Sequence, residues 1–128
     1  MRRLGGDPPS PYEERYGFSR LLRVGDFVLV GGTTSIDVDG VVQGERPYEQ
    51  TVIILEKIGR ELSRLGASLS DMVSTRVYVT DISRANEVGR AHGEALGDVR
   101  PVMTMVEVSA LIDPRMLVEI EAVAWVLS

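Results

Sequence analysis

The 128-residue chain contains no cysteine, which removes disulfides, thiolate metal sites and thiol nucleophiles together. It has a single histidine, His92, and a single lysine, Lys57. One histidine without cysteine is too little for a zinc site, and no metal or other cofactor is expected. Nothing in the residue order supports a Ser-His-Asp arrangement. No apolar run approaches the roughly 20 residues that span a bilayer, so no membrane association is expected. The basic start, Met1-Arg2-Arg3-Leu4, passes straight into Gly5-Gly6-Asp7-Pro8-Pro9 without an apolar stretch. A signal peptide is therefore not expected, and a cytoplasmic location is. The formal net charge is -5, which repels phosphate backbones at long range, so no nucleic-acid partner is expected.

What is present suits one globular domain in length and in its 44% apolar content. Residues 1–16 hold three of the six prolines and read as an N-terminal arm, ordered only where something docks it. Residues 17–128 read as a single domain. Leu21 to Val24 and Phe27 to Val30 flank Gly25-Asp26, a two-residue hairpin signal. From Pro47 to Leu65 the apolar residues Tyr48, Val52, Leu55, Ile58, Leu62 and Leu65 recur at helical spacing, and Gly66 supplies the stop. Val73 to Thr80 is β-branched and aromatic, hence a strand. A shorter helix is expected from about Arg84 to Leu96, with a stripe of Val88, His92, Ala95 and Leu96. Two strands close the chain, at about Val102 to Val108 and Met116 to Leu127, with a turn around Asp113-Pro114. The order ββ-α-β-α-ββ predicts an α+β fold, with both helices on one face of the sheet.

Two short motifs carry no site. Asp37-Val38-Asp39-Gly40 has Tyr48, not Glu, at the twelfth position of a calcium loop, so it reads as a turn. Gly31-Gly32-Thr33-Thr34 lacks the spacing and Lys of a phosphate loop.

The last strand poses a physical problem. Met116, Val118, Ile120, Ala122, Ala124 and Val126 alternate with Leu117, Glu119, Glu121, Val123, Trp125 and Leu127. Both rows are rich in apolar groups. Two helices cover only one, so self-association is expected to cover the other.

Four segments resemble the RidA (YjgF) family: Gly66-Ala67-Ser68-Leu69-Ser70-Asp71-Met72-Val73, Val77-Tyr78-Val79-Thr80-Asp81, Pro101 to Val108, and Leu117 to Ala124. The likeness runs over roughly residues 18 to 127. It implies a chorismate-mutase-like mixed sheet assembled as a homotrimer, with small-molecule clefts between subunits. It also implies hydrolysis of a 2-imino acid, in which water adds to the imine carbon and ammonia leaves.

The same likeness identifies candidate site residues and several departures. Glu119 falls on the family's cleft glutamate, which orients or activates water, and is the candidate catalytic residue. Met103 stands where the family has the Arg that clamps the substrate carboxylate. Thr104 stands for a Ser, and could hold a ligand atom or be an ordinary strand threonine. Phe18 replaces a Tyr, Gly31 a Ser and Gly89 an Asn. Truncating one partner of a buried charge pair costs about 2–5 kcal/mol, so a site without that Arg loses the usual carboxylate affinity. The resemblance thus describes an Arg-lacking branch.

Among the remaining ionisable residues, Arg76 shares a strand face with Tyr78. It either pairs with Glu119 or Glu121 or, like Arg100 just before Pro101, supplies a relocated anion contact. Glu119 and Glu121 lie on one face with Trp125, where burial is costly without partners; an interface ion pair is the structural alternative. His92 suits proton transfer, but on an apolar stripe it also suits simple packing. Three functions stay open: hydrolysis of a C=N or enamine compound other than the usual 2-imino acid, metabolite binding without catalysis, and the endoribonuclease or translation-inhibitor activity often attached to the family.

Overall fold

The computed structural model describes residues 1–127. Six strands form one sheet in the order β1-β2-β3-β6-β4-β5. The strands are β1 (Arg2–Leu4), β2 (Leu21–Val24), β3 (Phe27–Thr33), β4 (Met72–Val79), β5 (Val102–Glu107) and β6 (Val118–Trp125). The helices are α1 (Pro11–Tyr16), α2 (Pro47–Ser63) and α3 (Ala85–Leu96). Every neighbouring pair is antiparallel except β4 and β5. That pair is parallel and needs a crossover, which α3 supplies. The fold is α+β, a mixed sheet with α2 and α3 on one face. No helix among the described residues is long and apolar enough to cross a membrane.

The hairpin forms at Gly25-Asp26, with Val24 opposite Phe27 and Gly25 at a positive φ of 58. The N-terminal residues enter the same sheet, since β1 pairs with β2. Glu13 ties them down. Its carboxylate accepts hydrogen bonds from the Gly6 and Ser10 amides, and the second of these forms a capping box for α1.

α2 begins at Pro47, and the Glu49 carboxylate accepts from the Arg46 amide. It ends where Gly66 turns left-handed at φ 80 and the Ala67 amide returns to the Leu62 carbonyl. Its buried face is not quite the expected one. Gln50, Thr51, Ile54, Leu55, Ile58 and Leu62 are buried, whereas Tyr48 and Val52 lie half-buried at the flank. Polar residues enter because their groups are satisfied. Thr51 donates to the Pro47 carbonyl at 2.7 Å. Gln50 donates to the Gly44 and Arg115 carbonyls and accepts from the Leu117 amide. On α3, Ala91 is buried and Ala95 is exposed, because the stripe is centred on Val88, His92 and Leu96.

The core lies between these helices and the inner sheet face, where Val28, Val77, Val118 and Ile120 are fully buried. The outer face is bare. Phe27 pairs with Trp125, and Leu29 with Leu22 and Val123. Phe27 is 47% exposed and Trp125 44%, so nearly half of each residue's surface faces outward among the described residues.

Candidate functional site

The site begins with an irregularity in β3. Val30 pairs with Ala122 and Thr33 with Ile120, so three steps on β3 match two on β6. One extra residue makes a β-bulge at Gly31-Gly32, a feature that re-aims groups beside functional sites. Both glycines let the end of a neighbouring side chain lie close against the backbone. A Cβ on Gly31 would lie 2.7 Å from Nη2 of Arg20, and one on Gly32 would lie 2.7 Å from Oε2 of Glu119. Arg20 and Glu119 thus sit against one stretch of bare backbone on the open sheet face.

Arg20 donates from Nη2 to the Gly32 carbonyl at 2.5 Å. Its Nε is buried without a hydrogen-bond partner. Glu119 sits half-buried and takes no hydrogen bond among the described residues. Burial pushes its carboxyl above the usual carboxylate range, while the Arg20 charge opposes that shift and Glu121 adds to it. The proton affinity of Glu119 is therefore moved toward the value a general acid or base needs near neutral pH.

Glu121 behaves differently. Its Oε1 accepts from the Tyr78 hydroxyl at 2.5 Å and lies 3.9 Å from the Arg76 guanidinium. Arg76 therefore pairs with Glu121, one of the two partners considered for it. Two adjacent carboxylates have been given separate environments: Glu121 is engaged, and Glu119 is left with an open coordination shell.

A concavity of about 600 Å³ opens here, lined among others by Arg3, Arg20, Gly31, Ser74, Arg76 and Glu121. Thr104 is the register partner of Arg76, so it projects to this same face at the outer edge strand.

The other candidates lie elsewhere. Met103 pairs with Thr75, whose side chain is buried beneath α3 and hydrogen-bonded to Nε2 of His92 at 2.9 Å. Met103 therefore projects to the helix side of the sheet. Gly89 precedes His92 by three residues on α3 and shares its side. Burial lowers the His92 pKa, which keeps the ring neutral and matches a packed histidine. Arg100 has a positive φ of 57, and its Nε is turned back onto the Gly97 carbonyl. Phe18 is 44% exposed just after α1, with its amide on the Glu13 carbonyl.

One chain thus holds two groups of candidates. Glu119, Glu121, Arg76, Gly31 and Thr104 belong to the open face. Met103, His92 and Gly89 belong to the helix side at the β5 edge. β5 lies two strands from β6, about 10 Å away. Met103 and Glu119 of one chain therefore cannot meet on one small ligand.

Arg20 and Gly32 were not among the sequence candidates. The doubled glycine inside a strand pattern is a bulge signal, and it could have drawn attention to this point. No local pattern announces that Arg20 folds over it.

The endoribonuclease L-PSP family model matches residues 10–126. An uncharacterized protein of Streptomyces coelicolor is 37% identical over 116 residues, covering 91% of this chain and 87% of that one. A RutC family protein of Pyrococcus abyssi is 35% identical, covering 84% and 85%. Among solved structures, a Mycobacterium tuberculosis member of the YjgF/YER057c/UK114 family superposes with a TM-score of 0.88 at 46% identity, covering 98% of both chains.

Proposed function

The chain belongs to the endoribonuclease L-PSP family, the RidA/YjgF proteins, and from that premise we propose that it hydrolyses a C=N or enamine bond of a small molecule in clefts between three copies of itself. The observation that carries the reaction is Glu119, a half-buried carboxylate of raised pKa with no hydrogen-bond partner among the described residues, on the same sheet face as an open concavity lined by Gly31 and Glu121. The ionised carboxylate takes a proton from water as its oxygen adds to the imine carbon. The same proton returns to nitrogen, giving a carbinolamine. The carboxylate then takes the hydroxyl proton and delivers it to nitrogen as the C–N bond breaks, and ketone and ammonia leave. Proton transfer by a positioned group contributes about 10²–10⁴-fold.

Two observations support the intersubunit placement. The bare face carrying Phe27, Leu29 and Trp125 needs cover, and the two groups of candidates can converge only if different copies supply them. A second copy whose β5 edge approaches the open face would bring Met103 and His92 toward Glu119.

A second reading, metabolite binding without turnover, is favoured by one specific feature. The polar frame is thin: Phe18 has no hydroxyl, Gly31 and Gly89 have no side chain, and Met103 has no charge. RNA cleavage is not part of the proposal, since the chain is acidic and its one histidine is committed to Thr75.

The test is ammonia release from freshly generated 2-iminopropionate and from a neutral enamine, with wild type and Glu119→Gln. A loss of at least about 100-fold in the variant is expected. Equal rates in the two proteins would overturn the hydrolytic role, and tight binding of an unaltered metabolite would establish the second reading in its place.

A further inference from the structure

The open-face concavity contains more positive charge than it uses. Arg3, Arg20 and Arg76 line it against a single lining carboxylate, Glu121. Glu121 is already held by Tyr78 and Arg76. Arg20 is the unusual member. It makes no ion pair among the described residues, and Glu13, Glu61 and Glu119 act on it only through space. Among the described residues its guanidinium makes one hydrogen bond, to the Gly32 carbonyl, and its Nε is buried without a partner. The guanidinium is half-buried with donors left over, and partly desolvated donors favour a ligand that supplies acceptors.

The surrounding backbone is shaped for this side chain. Gly31 lies in the bulge, and a Cβ there would stand 2.7 Å from Nη2, so a larger residue would displace the guanidinium from its present seat. Met103 has no charge and, from any copy, supplies no cation here.

We propose that Arg20 is the specificity-determining residue of the site, a planar guanidinium that binds a small anion in the open-face concavity beside Glu119. The fit is to a compact oxyanion. Arg presents paired donors that match carboxylate and phosphate geometry, and a concavity of about 600 Å³ accommodates a metabolite-sized molecule. Residues near the start of the chain complete the wall. Arg3 on β1, together with Gly17 and Ser19, lines the same space, and β1 lies outside the residues that the family model matches. The apolar end of the open face, at Phe27, is four residues along β3 from Gly31, about 13 Å away. Leu22, Leu29 and Val123 line the apolar side of the same concavity, so a covering copy would wall it on that side. The inference rests on the ligand-cleft reading above and adds to it the charge of the ligand.

The test uses the full chain, labelled with 15N, titrated separately with pyruvate, inorganic phosphate and the neutral amide pyruvamide. Pyruvate or phosphate is expected to shift the Gly31 and Gly32 amides, and pyruvamide is not. Response to pyruvate alone assigns a carboxylate, and response to phosphate alone assigns a phosphoryl group. Arg20→Gln should weaken the responding anion at least tenfold, and Arg20→Lys should weaken it less. Silence of both amides with both anions, an equal response to pyruvamide, or unchanged affinity in Arg20→Gln would overturn the proposal. Should Arg20→Gln fail to fold, the wild-type titrations and Arg20→Lys decide the matter. Failure is separable from failure of the hydrolytic reading. Ammonia release that depends on Glu119 without anion binding sinks only Arg20's role, while anion binding without Glu119-dependent release sinks only the hydrolysis.

Discussion

The carboxylate of Glu119 lies so close over Gly32 that a single added methyl group would stand 2.7 Å from its Oε2. Gly32→Ala is therefore expected to displace Glu119 while leaving the core untouched. Catalysis or ligand binding should fall at least tenfold, and the melting temperature by no more than a few degrees, since overpacking against a side-chain end costs about 1 kcal/mol, the low end for added methylenes. Parallel activity and thermal-melt measurements check this. A variant that melts far lower but retains activity would contradict it.

Glu119 should also cost stability. Its folded pKa is raised by burial, so the ionised form is disfavoured in the native state. Glu119→Gln is expected to melt higher than wild type at neutral pH. The sign follows from linkage: the penalty is fully present above the raised folded pKa and disappears as pH falls toward the unfolded value. The difference in melting temperature should thus close between pH 7 and about 4.5, near the unperturbed glutamate range.

His92 acts in the opposite direction. Its folded pKa is lowered by burial, so the unfolded chain takes up the proton first. The neutral ring contributes stability that is complete above about 6.5, the ordinary histidine value, and is lost as pH falls through the folded value. Urea midpoints at pH 7.5 and 5.5 should show a larger drop for wild type than for His92→Phe.

The bare sheet face should control assembly. Leu29→Asp places a charge among Leu22, Val123 and the Phe27–Trp125 pair without entering the helix-side core. Sedimentation is expected to show a trimer for the wild type and a smaller, folded species for the variant. A wild-type monomer at micromolar concentration would remove the intersubunit cleft.

Ile54 is fully buried on α2. Ile54→Ala should cost about 2–5 kcal/mol through lost burial and the cavity left behind, measured by urea denaturation, whereas exposed Ile82→Ala should change little.

Much of the fold was legible because its signals are local. Gly25-Asp26 specifies a two-residue turn, Pro47 and Gly66 bound α2, and the alternation along 118–125 predicts one buried row. The α2 stripe was displaced because Gln50 and Thr51 are polar by composition yet satisfied by carbonyls from Gly44, Arg115 and Pro47. Those partners exist only after the chain folds. The candidate site was legible in part. Glu119 and Glu121 were placed on one face correctly, but their separation into an engaged and an unengaged carboxylate depends on Tyr78 reaching Glu121 across the sheet.

The order of strands and helices from β2 onward, the two-sided apolar character of the last strand and the lack of thiols followed from the sequence alone, since each depends on residue identity or short-range periodicity. The opposite facing of Met103 and Glu119, the bulge at Gly31-Gly32 and the seating of Arg20 upon it were decided only by tertiary structure. Register and strand order bring together residues dozens of positions apart, and no local pattern encodes that meeting.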